Sequence, residues 1–585
     1  MCGHGYGITA HPYIYLIWMK DTAVASSSML LKDTIKRINK NNAKEQKKMQ
    51  QEFDYIIIGG GSAGSVLASR LTEDPNISVC LLEAGGNGEN WTVNIPAAAV
   101  VSLPSKINNW AFETVPQAGL NGRKGYQPRG KGLGGSSNIN AMIYIRGNQA
   151  DYDHWASLGN TGWSYQEVLP YFIKSENNER LQNEYHGNSG PLSVSDVRTD
   201  NPLHQRYIAS AKEQGYKILD DFNGAEQEGL GVYQVTHVNG ERCSAARAYL
   251  YPHLQRPNLM VLTQALTQKI LIEQKTAIGV EVQHAGKIKQ LRARKEVLLS
   301  AGAIQSPQIL MLSGIGDQAE LKAYQIEVQH HLPGVGKNFH DHPDFIFGYS
   351  VKDIQGTFGI SIPGSLDMFK QVGRYRKERR GMIASNFAEC GGFLKSHPSL
   401  AIPNLQLHFV VALVDDHARK FHASHGVSCH VCLLNPRSRG SVQLSGNKIS
   451  DPLKIDPNFL ADEQDLEDLV QGFKLTRKLM HSHSLSEIYK RDLFTEHVKT
   501  DDDIRQILRE RTDTVYHPVG SCKMGVDDMA VVDPQLRVYG IQNLRVVDAS
   551  IMPTVVNGNT NAPVIMIAEK AVDLIRQGAL TQYVA

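Results

Sequence analysis

Residues 54–83 read DYIIIGGGSAGSVLASRLTEDPNISVCLLE, and this stretch decides the fold. An apolar strand over Tyr55–Ile58 enters the glycine turn Gly59-Gly60-Gly61-Ser62-Ala63-Gly64. A small-residue helix to about Leu71 follows, then a second apolar strand over Val79–Leu82 and the acid Glu83. This is a βαβ unit with a dinucleotide-binding turn. Gly59 permits the tight turn, Gly61 lets backbone approach a pyrophosphate, and Gly64 lets helix pack on strand. Ser62 and Ala63 lie where the helix N-terminus offers unpaired N–H groups and a positive dipole end to phosphate. Glu83 can accept from both hydroxyls of an adenosine ribose and disfavours a 2′-phosphate. The pattern by itself does not separate FAD from NAD.

A chain of 585 residues is too long for one ordinary core, so two domains are expected. With 61 basic and 59 acidic side chains the net charge is +2, which gives no electrostatic case for nucleic acid. Seven scattered cysteines form no disulfide framework and suit a reducing, cytoplasmic location. Cys429 and Cys432 have CxxC spacing but sit in a strand-like run without a second ligand pair, so they read as small buried strand residues and not as a metal site.

Residues 1–50 carry no domain signal and read as a disordered extension, with Met49 an alternative start. The apolar run Tyr13–Met19 is too short to span a bilayer. The basic segment Lys32–Lys48 is either solvated or a surface helix in peripheral contact with the inner face of an anionic membrane.

Beyond Glu83 comes Ala84-Gly85-Gly86, and later RGKGLGGSSNINAM over residues 129–142, where Gly134, Gly135 and Asn140 suit a second approach to a cofactor. A third small-residue turn, GAIQSPQILMLSGIG over residues 302–316, follows an apolar strand and opens a helix for which Ser306 is the expected N-cap, Pro307 the first residue and Gly314 the stop. Near the C-terminus stand YHPVGSCKMG (516–525), a short strand ending in Asp548-Ala549-Ser550, and NGNTNAP (557–563). The last opens a helix with an apolar stripe, expected to close at Gly578. The triplet His340-Asp341-His342 invites a metal reading, but consecutive side chains rarely converge on one ion, and no metal is expected.

These motifs together resemble the glucose-methanol-choline (GMC) flavin oxidoreductases. RGKGLGGSSNINAMIYIRGNQADYDHW (129–155) is similar to the family's first signature and residues 302–316 to its second; the likeness runs from Phe53 to about Gln577. It implies an α/β fold, in which a Rossmann-like FAD-binding domain (51–162, 237–340 and 501–585) is interleaved with a discontinuous α+β substrate domain (163–236 and 341–500).

The resemblance further implies FAD as cofactor, a backbone contact to adenine at Thr267, ribityl contacts at Asp548 and Ala549, and His517 as catalytic base. Asn561 is placed at the family's second active-site position, with a hydrogen bond to the alcohol oxygen. Some members attach the flavin through a histidine of the first signature; Lys131–Ala141 contains none, so FAD is expected to be non-covalent. The implied reaction is oxidation of an alcohol to an aldehyde or ketone, with hydride passing to flavin N5 and electrons leaving to a quinone-type acceptor or oxygen.

The segments 221–236 and 240–250 resemble the choline and aliphatic alcohol dehydrogenase branch. A primary aliphatic or aromatic alcohol is the expected substrate, with choline dehydrogenase or a non-redox hydroxynitrile lyase as the alternatives. Glu389 is either a pocket carboxylate able to hold a cation or an ion-paired surface residue.

Overall fold

The computed structural model describes residues 51–359 and 361–584; the N-terminal extension, with its apolar run and basic segment, lies outside the described residues. The expected βαβ unit is β1 (Glu52–Ile58), α1 (Ser62–Leu71) and β2 (Val79–Leu82). Every residue of β1 after Glu52 and all of β2 are buried, as befits strands covered on both faces. Three further elements join in parallel: β3 (Leu259–Leu262) beside β2, the end of β6 (Lys287–Leu299) beside β1, and β13 (Leu544–Val546) beside β6. The antiparallel hairpin β4 (Ala265–Glu273) and β5 (Thr276–His284) extends the sheet to seven strands. The carboxyl ends of its parallel strands, Ile58, Leu82 and the turn after Leu299, point to one cavity, where doubly wound sheets bind ligands.

A second, antiparallel sheet has the order β8-β9-β10-β7-β11, with β12 also on β7. Its strands are β7 (Pro343–Val351), β8 (Ala388–Leu394), β9 (Leu405–Val410), β10 (Gly426–Leu433), β11 (Tyr489–Asp492) and β12 (Asp513–Thr514). Helix α2 (Leu203–Glu213) sends Leu203 and Tyr207, and α4 (Asp501–Arg511) sends Ile504, Ile507 and Leu508, into the core built on this sheet. Cys429 and Cys432 are buried residues of β10. Among the described residues, no helix is long and apolar enough to cross a membrane.

Two helix boundaries differ from expectation. Helix α3 (Gly302–Leu312) begins before Ser306, because the carboxylate of Asp548 takes the N–H of Gly302 at 2.9 Å and supplies the N-terminal partner that Ser306 was expected to provide. Pro307 therefore lies inside the helix and leaves the carbonyl of Ala303 without its intrahelical donor. The hydroxyl of Ser521 donates to that carbonyl instead. The C-terminal helix α5 (Asn561–Val584) runs past Gly578, since a helical glycine costs only about 1 kcal/mol and is not an obligatory stop.

Candidate active site

A cavity of ≈ 380 Å³ lies between the carboxyl ends of the parallel strands and the inner side of the antiparallel sheet. Gly59, Gly61, Ser62, Ala63, Glu83, Ala84, Gly135, Asn140, Thr267, Asp548, Ala549, Asn561 and His517 all line it. Gly64 and Gly134 do not: a Cβ at Gly64 would run into the carbonyl oxygen of Gly59, so that glycine serves helix packing. At Gly61 the nearest atom to such a Cβ would be Gly135 Cα at 3.9 Å, which leaves the backbone bare toward the cavity. The N–H of Gly134 donates to Gly60 O at 2.7 Å and holds the two glycine turns together.

The lining fits a dinucleotide. Helix α1 has no side-chain cap and no acid in its first turn, so its N–H groups are available to an anion. The hydroxyls of Thr267 and Ser300 are buried against the cavity without a hydrogen-bond partner from the protein, as sites completed by a bound group are. Glu83 accepts from Gly60 N–H at 2.9 Å, Gly85 N–H at 2.7 Å and Gly132 N–H at 3.0 Å, so its carboxylate also fixes the backbone of both turns. Burial raises its pKa against the opposing pull of those three donors. Asp548 is similarly engaged, by Gly302 N–H, Ser306 Oγ at 2.6 Å and Ser550 N–H at 2.8 Å.

At the other end of the cavity His517 is 7% exposed and held from several sides. Its backbone N–H donates to Asp341 Oδ1 at 2.8 Å. Its Nδ1 stands 3.0 Å from His342 Nδ1, and its Nε2 stands 3.2 Å from Asn559 Nδ2. The amide of Asn559 is itself oriented, because its Oδ1 accepts from Gln406 Nε2 at 3.1 Å. These partners fix the tautomer: Nε2 faces an N–H donor and must be the acceptor, so the proton of the neutral ring is on Nδ1 and is donated to His342. Burial is the main cause that drives the pKa of His517 well below its ordinary value, with His342, His408 and Arg129 acting in the same direction. The ring is neutral at physiological pH, with a lone pair on the atom nearest Asn559.

The triplet 340–342 is thus a positioning device. Asp341 also takes Thr514 Oγ1 and the N–H of His342, and burial lifts its pKa to about 6. His340 Nε2 accepts the N–H of Val555 at 2.9 Å and secures the segment that leads to Asn559. Among the described residues no group of three ligating side chains could hold a metal ion. His408 and Arg129 also line the cavity; burial lowers their pKa values to about 3 and about 10.

Asn561 does not meet His517. Its Oδ1 accepts from Ser62 Oγ at 2.8 Å, which ties the start of α5 to the first glycine turn. The physical reason is position: Asn561 is the first residue of a helix, whereas Asn559 lies in the irregular segment before it and is free to turn to the histidine. The sequence carried one signal for this, the alternation Asn557, Asn559, Asn561, but not the register.

Two family models, both described as GMC oxidoreductase, match residues 53–344 and 436–568. The chain is 45% identical over 531 residues to "Alcohol dehydrogenase [acceptor]" of Pseudomonas putida, covering 89% of this chain and 95% of that one. It is 44% identical over 539 residues to "Oxygen-dependent choline dehydrogenase" of Pseudomonas fluorescens (strain SBW25), covering 90% and 94%. Among solved structures it is similar to pyridoxine 4-oxidase from Mesorbium loti (TM-score 0.81, 30% identity, 90% and 99% covered). A formate oxidase superposes with a TM-score of 0.84 at 27% identity, covering 91% and 99%.

Proposed function

The chain belongs to the GMC oxidoreductases, FAD-dependent enzymes that act on alcohols, and from that premise we propose that it oxidises an alcohol to an aldehyde or ketone with His517 as the base. The observation that carries this reading is the placement of His517 on the cavity wall, with Nε2 3.2 Å from Asn559 Nδ2 and Nδ1 3.0 Å from His342 Nδ1. Nε2 would take the hydroxyl proton while Nδ1 keeps its bond to His342. Asn559 Nδ2, not Asn561, would donate to the alcohol oxygen as negative charge develops on it. The neutral, buried ring loses little by waiting unprotonated, and the imidazolium it becomes is formed opposite that developing charge.

The turn 59–64, Glu83, Gly135, Asn140, Thr267 and the segment Asp548–Ala549 would hold FAD without a covalent bond, and Asn561 would brace the first turn through Ser62. When bound, FAD supplies a two-electron acceptor for the alcohol. The same reading makes the seven-stranded sheet the cofactor domain and the antiparallel sheet the substrate domain, with residues 501–514 going to the latter because α4 and β12 pack on it. Mixing the purified protein with a panel of alcohols without oxygen tests the proposal: an alcohol that bleaches the oxidised flavin spectrum supports it. A flavin that stays oxidised with every alcohol while a cyanohydrin is cleaved would favour the lyase reading instead.

A further inference from the structure

Cationic and neutral alcohols differ in what a cavity must offer: a quaternary ammonium needs a carboxylate or a set of aromatic faces. Glu389 directly follows Phe387 and Ala388, which line the cavity wall of the antiparallel sheet. Glu389 itself falls at the break in register between β8 and β9 and does not line it. Its side chain is 0% exposed, with Oε2 2.6 Å from His204 Nε2 and Oε1 accepting from Ser385 Oγ at 2.5 Å. His204 stands on α2, whose Leu203 and Tyr207 are part of the core together with Cys390. Reaching Glu389 would mean separating a fully buried carboxylate from a histidine that a packed helix holds against it, which is costly.

The rest of the lining offers a cation little. Its acids among the described residues, Glu83 and Asp548, belong to the cofactor end and are each engaged by three donors. Arg129 brings a guanidinium to the wall and donates to the carbonyls of Pro128 and Tyr516. The ring face of Trp110 already carries the ammonium of Lys131, 4.1 Å from its centroid. The antiparallel sheet and its loops give the cavity the apolar Phe387, Val410, Ala412 and Leu413 and the polar Asn386, His408 and His430, none of them anionic.

We infer that this chain selects neutral, apolar alcohols over quaternary ammonium alcohols, and that the pairing of Glu389 with His204 and Ser385 is what withholds a counter-charge from the cavity. The inference rests on the alcohol-oxidising reading and names its substrate class.

The test compares choline with 3,3-dimethylbutan-1-ol, two alcohols of one shape that differ by carbon for charged nitrogen. Holoenzyme carrying His517→Ala, which removes the proposed base, is titrated with each, and binding is followed by calorimetry and by perturbation of the flavin absorption. The neutral alcohol is expected to bind at least about 10-fold more tightly. Choline binding as tightly or more tightly overturns the inference, and so does failure of both to bind. Adding Glu389→Gln to the same protein should leave choline affinity within about 2-fold, because a side chain that does not reach the ligand contributes no differential contact; a loss of tenfold or more would put Glu389 on the cation and also overturn it. In the wild-type holoenzyme, a flavin that no alcohol bleaches would sink the alcohol-oxidising reading, and the binding comparison would still be read on its own.

Discussion

Asn559 Nδ2 lies 3.2 Å from His517 Nε2, and Gln406 holds the other end of the same amide. A donor fixed at that distance leaves the histidine nitrogen only the role of acceptor, so Gln406, Asn559, His517 and His342 form one directional chain of hydrogen bonds. It sets a hydrogen-bond acceptor and a donor side by side on the cavity wall.

The first prediction ranks three substitutions by the anaerobic rate of flavin reduction with one good alcohol. His517→Ala should lower it by about 10²–10⁴-fold through loss of the base. Asn559→Ala should lower it by about 10²–10³-fold, as removal of one oxyanion donor does. Asn561→Ala should change the rate least and instead loosen the flavin. A rate loss at Asn561 equal to that at Asn559 would show that the roles are assigned to the wrong asparagine.

Glu83 fixes three backbone N–H groups across both glycine turns, so Glu83→Ala should yield protein with a lower ratio of flavin to protein absorbance. Purified Glu83→Ala with full, tightly held FAD would mean that neither the carboxylate nor the backbone it fixes is needed for binding.

Acid precipitation should release all yellow colour into the supernatant, because Lys131–Ala141 offers no histidine for a covalent bond. Colour that stays in the pellet would contradict this.

A fourth prediction concerns pH. Burial lowers the pKa of His408 from 6.5 to about 3, so between these values the unfolded chain binds a proton that the folded chain does not. The wild type therefore has its full stability from this group above pH 6.5 and loses it as pH falls toward 3. Relative to His408→Gln, the wild type should lose stability at up to about 1.4 kcal/mol per pH unit across that window, measured by urea unfolding. A difference between the two proteins that stays constant with pH would rule this out.

Much of the cofactor half was legible because its constraints are local. The spacing of Gly59, Gly61 and Gly64 encodes a turn and a packing contact within one βαβ unit, and the apolar run at residues 79–82 could be little but a buried strand. What was missed depends on partners distant in the chain. Asp548 starts α3 from far downstream, so Ser306 looked like a cap when it is the second residue to bind that carboxylate. Three asparagines at alternate positions look equivalent until His517 and Ser62 each claim one. The histidine triplet showed no role in the sequence, because the His517 backbone and ring that it serves enter from a different part of the chain.

The carbonyl of Ala303, denied a partner by Pro307 and answered by Ser521, binds the histories of two distant positions together. In a chain with a non-proline residue at 307, a returning N–H would satisfy that carbonyl, and the serine hydroxyl could be lost almost without effect. With proline present, losing the hydroxyl leaves the Ala303 carbonyl in α3 bare, at about 1–3 kcal/mol, and removes a tether from the loop that carries His517. The order of substitution therefore matters: the serine can precede the proline at little cost, and the proline, once fixed, makes the serine hard to give up.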